Sequence, residues 1–151
     1  MYKFVSKIEF TLIAGKPIAP HFLKGEMAMR VMEAIDRTDS LKHNTYTIDE
    51  KVAWLSRLDG MVKQQIIDTH EDGDGIEFDG YTPKNNMETL LLVPMPFDEV
   101  YIRWLEAQID YYNGEIDRYN NSIAMFQSAY DAYARHYNRL HLPKTEKLKF
   151  W

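Results

Sequence analysis

The chain has no cysteine among its 151 residues. Disulfides, thiolate metal ligands and Cys nucleophiles are therefore excluded, and the composition fits a reducing cytosol. It also lacks any apolar run near the ~20 residues that a membrane helix needs. Lys3, Lys7 and Glu9 interrupt the N-terminal region, so it does not read as a signal peptide. Basic charge is short as well. Eighteen Lys and Arg stand against 23 Asp and Glu, a net charge of −5. Such a balance disfavours binding nucleic acid with the whole surface, but it leaves room for one local basic patch. No G-x-S-x-G elbow, HExxH helix, phosphate loop or Glu-x-x-His pair occurs.

Aromatic residues are abundant: ten Tyr, seven Phe and three Trp. Tyr and Trp join a large apolar area to a polar handle, which suits subunit interfaces and cores with wet edges. Hydrophobic residues make up 45% of the chain, enough for one folded domain with a modest core.

Residues 2–13 alternate, with Tyr2, Phe4, Ile8, Phe10 and Leu12 on one parity, and predict an N-terminal strand. Met27, Val31, Met32 and Ile35 predict a helix over about 25–37. Thr47 with Glu50 three residues on forms a capping box that opens a second helix, running to about Asp68 or Thr69. Gly60 lies inside it, where packing could call for a small residue. "IEFDGY" (76–81) and "ETLLLVP" (88–94) predict a small central β-hairpin.

The strongest periodicity follows. Ile102, Leu105, Ile109, Tyr112, Ile116, Tyr119, Ile123, Phe126, Tyr130, Tyr133, Tyr137 and Leu140 alternate spacings of three and four, and predict a core stripe. A continuous helix from Pro96 to His141 would be roughly 65–70 Å long. The phase runs unbroken through Asn113-Gly114, which favours continuity with a kink as the other option. Glu106, Asn113, Asn120 and Gln127 on one flank, and Gln108, Glu115, Ser122 and Ala129 on the other, lack the paired charges of a two-stranded zipper. The fold class expected is mainly α: a helical bundle with one very long C-terminal helix, a central hairpin or loop and an N-terminal strand.

The stretch "DTHEDGDGIEFDGY" (68–81) holds six acidic residues, one His and three Gly. A calcium-loop frame from Asp68 places Gly73 at six but Gly75 at eight and Asp79 at twelve, so the template fails. A solvated acidic turn is the expectation, with Asp68, Asp72, Asp74 and Asp79 as the alternative metal ligands. His21, His43, His70, His136 and His141 are scattered and read as solvent-facing or interfacial. "KTEKLKF" (144–150) is a small basic tail.

Three segments, "DEKVAWLSRLDGMVKQQIIDTHE", "LLVPMPFDEVYIRWLEAQIDYYNGEIDRYNNSIAMFQSAYDAYARHYNR" and the closing "LP", resemble head–tail connector (adaptor) proteins of tailed phages and prophages of Gram-positive bacteria. The resemblance spans roughly 27–145, leaving a 1–26 extension and a 146–151 tail. It implies a virion neck protein assembled in the host cytoplasm, without enzyme activity or cofactor. Copies would form a ring, usually of about twelve, between the portal and the next neck or tail protein, around passing double-stranded DNA. Trp54, Tyr101, Trp104 and Tyr111 are candidate interface aromatics, with ordinary bundle core as the equal alternative for each. Glu71, Asp72, Asp74 and Glu77 would face the channel and repel DNA. Sequences of this type begin near Met27 or Met29, so the extension reads either as a strand pairing with a neighbour's sheet or as upstream sequence before the true start. A second reading of the whole chain is a cytosolic helical adaptor, or a metal-responsive protein using the acidic 68–79 loop.

Overall fold

The computed structural model describes residues 27–84 and 88–145, together with two short strands before them. These strands, β1 (Leu12–Ile13) and β2 (Lys16–Pro17), pair antiparallel. The remainder of the predicted 2–13 strand lies outside the described residues.

The described chain is mainly helical. Strand β3 (Ala28–Arg30) leads into helix α1 (Val31–Leu41), which starts and ends a few residues later than the periodicity suggests. Helix α2 (Ile48–Val62) opens with the predicted box: Thr47 Oγ1 accepts from Glu50 N at 3.3 Å, and Glu50 Oε2 accepts from Thr47 N at 2.8 Å. Both partners satisfy backbone or side-chain groups that a bare helix start would orphan. The helix passes into one π turn at Lys63–Ile67, closed by the Asp68 N–H donating to Lys63 O at 2.8 Å. Gly60 proves not to mark a close approach. A Cβ there would meet only the Phe78 ring, at 3.9 Å. Gly60→Ala should therefore raise stability by up to about 1 kcal/mol through helix propensity, read as a higher denaturation midpoint.

The central hairpin takes a different form from the one expected. Strand β4 (Leu90–Pro94) pairs antiparallel with β3, 60 residues away in sequence, and residues 76–81 form no strand. The reason lies in the edge amides of β4. Leu92 N donates to the Asp59 carboxylate at 3.1 Å, and Val93 N donates to the Tyr101 hydroxyl at 2.7 Å. Side chains from α2 and from helix α3 (Glu99–Tyr112) thus stand where a neighbouring strand would. The Met95–Pro96 peptide after β4 is cis.

The long stripe also resolves differently. Helix α3 ends at Tyr112, and helix α4 (Ile116–Leu140) begins four residues later. Between them Gly114 adopts φ +73°, a left-handed conformation that glycine takes without a Cβ penalty. The two helices fold back as an antiparallel hairpin. Their partners step in opposite directions: Ser122 Oγ donates to Asp110 at 2.5 Å, Phe126 meets Trp104 at 4.9 Å between ring centroids, and Tyr133 meets Phe97 at 5.9 Å. The stripe is still core where the helices overlap. Ile102, Leu105, Ile109, Phe126, Tyr133 and Tyr137 are buried, and Ile123 and Tyr130 pack against them partly buried. At the turn and the far end the expectation fails: Tyr112, Ile116 and Leu140 are exposed, and Tyr119 is half-buried. Helices α1 and α2 cover the other side of α3, with Val31, Ile35, Leu55 and Leu58 completing the core.

Candidate interaction surface at the hairpin tip

Four aromatics were singled out by sequence as interface residues, and the fold separates them. Trp54, Tyr101 and Trp104 are buried within the chain; Tyr111 alone stands in solvent. The three buried ones serve packing. Trp104 Nε1 donates to Trp54 O at 2.8 Å, tying α3 to α2, while the Tyr101 hydroxyl donates to Asp59 at 2.6 Å. The sequence pattern could not distinguish these roles, because a Trp or Tyr with one polar end suits either setting.

The α3–α4 turn gathers one exposed apolar patch. Tyr111 is 58% exposed, Tyr112 50% and Ile116 69%. Tyr111 and Tyr112 rest on an aromatic stack rather than on a loose loop. Tyr112 lies flat on Trp54, with centroids 5.3 Å apart and planes 6° from parallel, and Tyr46 meets Trp54 edge-on at 5.3 Å. Tyr111 sits between Tyr112 and Tyr119, at 5.2 and 5.4 Å. Polar contacts fix the turn beneath. Tyr46 donates its hydroxyl to Asn113 Oδ1 at 2.7 Å, and buried Asp110 accepts from Lys42 Nζ at 2.6 Å as well as from Ser122. Large, pre-ordered aromatics lose little side-chain entropy on association, so such a tip is suited to protein contact.

The acidic turn has a second occupation. Residues Glu71–Gly75 form a 3₁₀ turn that docks against the chain beyond α4. Glu71 N donates to Leu142 O at 3.0 Å, Lys144 N donates to Thr69 O at 2.9 Å, and His70 bridges Pro143. The carboxylates point to different partners: Asp68 to Lys63, Asp72 to His141, and Asp74 to Lys144 at 2.6 Å. Slight burial opposes ionisation of Asp72, but the hydrogen bond and charge of His141 hold its carboxyl below the ordinary range. Asp79, Glu71 and Glu77 remain exposed. Among the described residues no three His, Asp or Glu side chains converge as a metal site.

His70 departs from the expected solvent-facing or interfacial position. It is buried edge-on against Tyr137 at 4.9 Å, with Nδ1 2.7 Å from Ile66 O, and His141 stacks on the same Tyr137 at 3.8 Å. Gly73 is the tight point of this clasp. A Cβ there would overlap the Ile67 carbonyl, which is backbone and cannot swing aside. Gly73→Ala should lower stability by roughly 1–3 kcal/mol, as overpacking does, and speed hydrogen exchange at the Glu71 and Lys144 amides.

The residue that sequence reasoning missed is Asp59. Its side chain is fully buried and has no ion-pair partner among the described residues. It accepts from the Tyr101 hydroxyl, the Tyr81 hydroxyl and Leu92 N, and so joins α2, the 76–84 loop, β4 and α3. Burial pushes its carboxyl up to about 6, against the pull of the three hydrogen bonds. An aspartate in phase with Leu55, Leu58 and Val62 was the available signal.

The chain matches no family model, no curated protein and no solved structure.

Proposed function

We propose that the chain is a structural subunit of a phage neck: a ring protein that joins the portal to the next neck or tail component and extends the DNA channel. The observation that supports this most is the exposed Tyr111–Tyr112–Ile116 tip, held on a stacked aromatic base at the end of a helical hairpin. A ring requires each copy to offer its neighbours two different surfaces. The tip is one. The exposed apolar residues Met27, Leu41 and Met95, on the side of α3 where that helix begins, are a second and separate one. The segments that resemble head–tail connectors include the tip and Met95. Under this reading the protein performs no catalysis and holds no cofactor. Its acidic turn holds the tail segment through Asp72 and Asp74, which contact His141 and Lys144.

Proteomics of purified phage particles tests the proposal. The chain should be present at about a dozen copies per particle, next to portal protein, and its gene should lie between capsid and tail genes. Particles that infect normally without it would end the proposal.

A further inference from the structure

Asp59 takes no part in the aromatic tip or in the surface at the start of α3, and its three donors differ in how firmly they are held. The Tyr101 hydroxyl stands on α3 and Leu92 N on β4. The Tyr81 hydroxyl stands on a stretch that belongs to no helix or strand. Tyr101 is wholly buried, whereas Tyr81 keeps 9% of its surface in solvent. Irregular, partly exposed segments open at lower cost than packed helices and strands, so the Tyr81 stretch is the one that yields first.

Residues 76–81 lie against α2 as a lid. Phe78 faces Gly60, its ring 3.9 Å from where a Cβ would stand, and meets the Tyr81 ring edge-on at 5.1 Å. Gly80, at φ +91°, passes so close to α2 that a Cβ would lie 2.9 Å from Ser56 Oγ. That turn lets Tyr81 N donate to Ser56 Oγ at 3.0 Å while the hydroxyl of the same residue donates to Asp59. Ser56 and Asp59 are three residues apart on one helix face, so Tyr81 grips α2 at two neighbouring points. The lid's own carboxylates, Glu77 and Asp79, are exposed.

The groups around Asp59 offer it donors but no cation. Tyr81 faces it from the lid, Tyr101 from α3 and Leu92 N from β4. Lys63, four residues on along α2, is engaged by Asp68. Burial under these elements raises the Asp59 carboxyl to about 6. Lifting the lid admits water and returns the group toward its ordinary value of 3.8. The proton therefore favours the closed lid. Below about pH 4 both forms hold it, above about pH 6 both have lost it, and between these limits each rise in pH favours opening.

We propose that residues 76–81 form a pH-dependent lid, latched by Tyr81 on Asp59 while that carboxyl holds its proton and loosened when it ionises. The open lid presents to solvent a carboxylate, the Ser56 hydroxyl and the seat of Phe78 over Gly60. This inference does not rest on the neck-ring reading; a lid of this kind is compatible with any function.

Amide hydrogen exchange of the full-length chain, followed by NMR from about pH 4 to about pH 7 and corrected for the intrinsic rate at each pH, tests the proposal. The Tyr81 amide reports the lid; the Leu58 amide in α2 and the Ile109 amide in α3 report unfolding of the whole. Tyr81 should exchange at least about tenfold faster than both, and its opening constant should rise by up to about a hundredfold across the window. Asp59→Asn should abolish the rise. Tyr81→Phe reads the latch independently, because it keeps the ring and removes the hydroxyl: exchange at this amide should increase about tenfold at about pH 4.5, the loss of one hydrogen bond. Exchange of Tyr81 at the rate of Leu58 and Ile109 overturns the inference, since the stretch would then open only with the whole fold. So does an opening constant that stays flat with pH, or a Tyr81→Phe variant that exchanges like the wild type.

Discussion

Replacing Asp59 with Ala should destabilise the fold by about 2–4 kcal/mol, measured by urea denaturation at pH 7. Three donors lose their acceptor at once: the Tyr81 hydroxyl, the Tyr101 hydroxyl and Leu92 N. Each buried unpaired group costs roughly 1–3 kcal/mol, and the sum is partly offset because a desolvated carboxylate is also removed. The same residue gives the stability a pH signature. Burial raises its carboxyl to about 6, above the ordinary aspartate value of 3.8, so between these values the folded state binds the proton more tightly than the unfolded one. Stability from this group therefore falls as pH rises through that window, by about 3 kcal/mol at most, and is flat on either side. Asp72 works in the opposite direction, because its carboxyl is held low. The comparison to make is wild type against Asp59→Asn, in which the downward step between pH 4 and pH 6.5 should vanish. A step of equal size in both proteins would assign it to other groups.

The second large effect concerns assembly. Tyr111→Ser combined with Ile116→Ser should leave folding nearly unchanged, since both residues are exposed and substitutions at such sites usually shift stability by less than about 0.5 kcal/mol. Self-association or portal binding should instead fall by about 30-fold or more, the loss expected when one central aromatic contact worth about 2 kcal/mol is removed. Tyr112 is excluded from the design because it stacks on Trp54, and its loss would disturb packing as well as the surface. Normal assembly by the double variant would show that the tip is not an interface.

Much of the helical content was legible because amphipathic periodicity and caps are local. The Thr47–Glu50 box and the apolar faces of α2 and α3 appear as the spacing predicts. The errors arose where one pattern has two physical solutions. A three–four stripe keeps its phase across a tight turn if the intervening residues happen to complete the count, and Tyr112 to Ile116 does so. Asn113-Gly114 was the better signal, since a left-handed glycine ends helices. The pairing of β4 with β3 depends on Asp59 and Tyr101 satisfying its edge amides, which is a tertiary effect invisible to a local reading. The acidic turn was recognised as a turn, but its partners lie about 70 residues away, beyond any window of periodicity.

These parts lead to one account: a core organised around Asp59, a clasped tail, and a rigid aromatic tip presented for contact. Native mass spectrometry of the full chain mixed with a portal protein encoded beside it, as the proposal requires, tests its central claim. The account predicts a ring of about a dozen copies on the portal, lost in the Tyr111→Ser, Ile116→Ser variant. A chain that stays monomeric in the presence of the portal would contradict it.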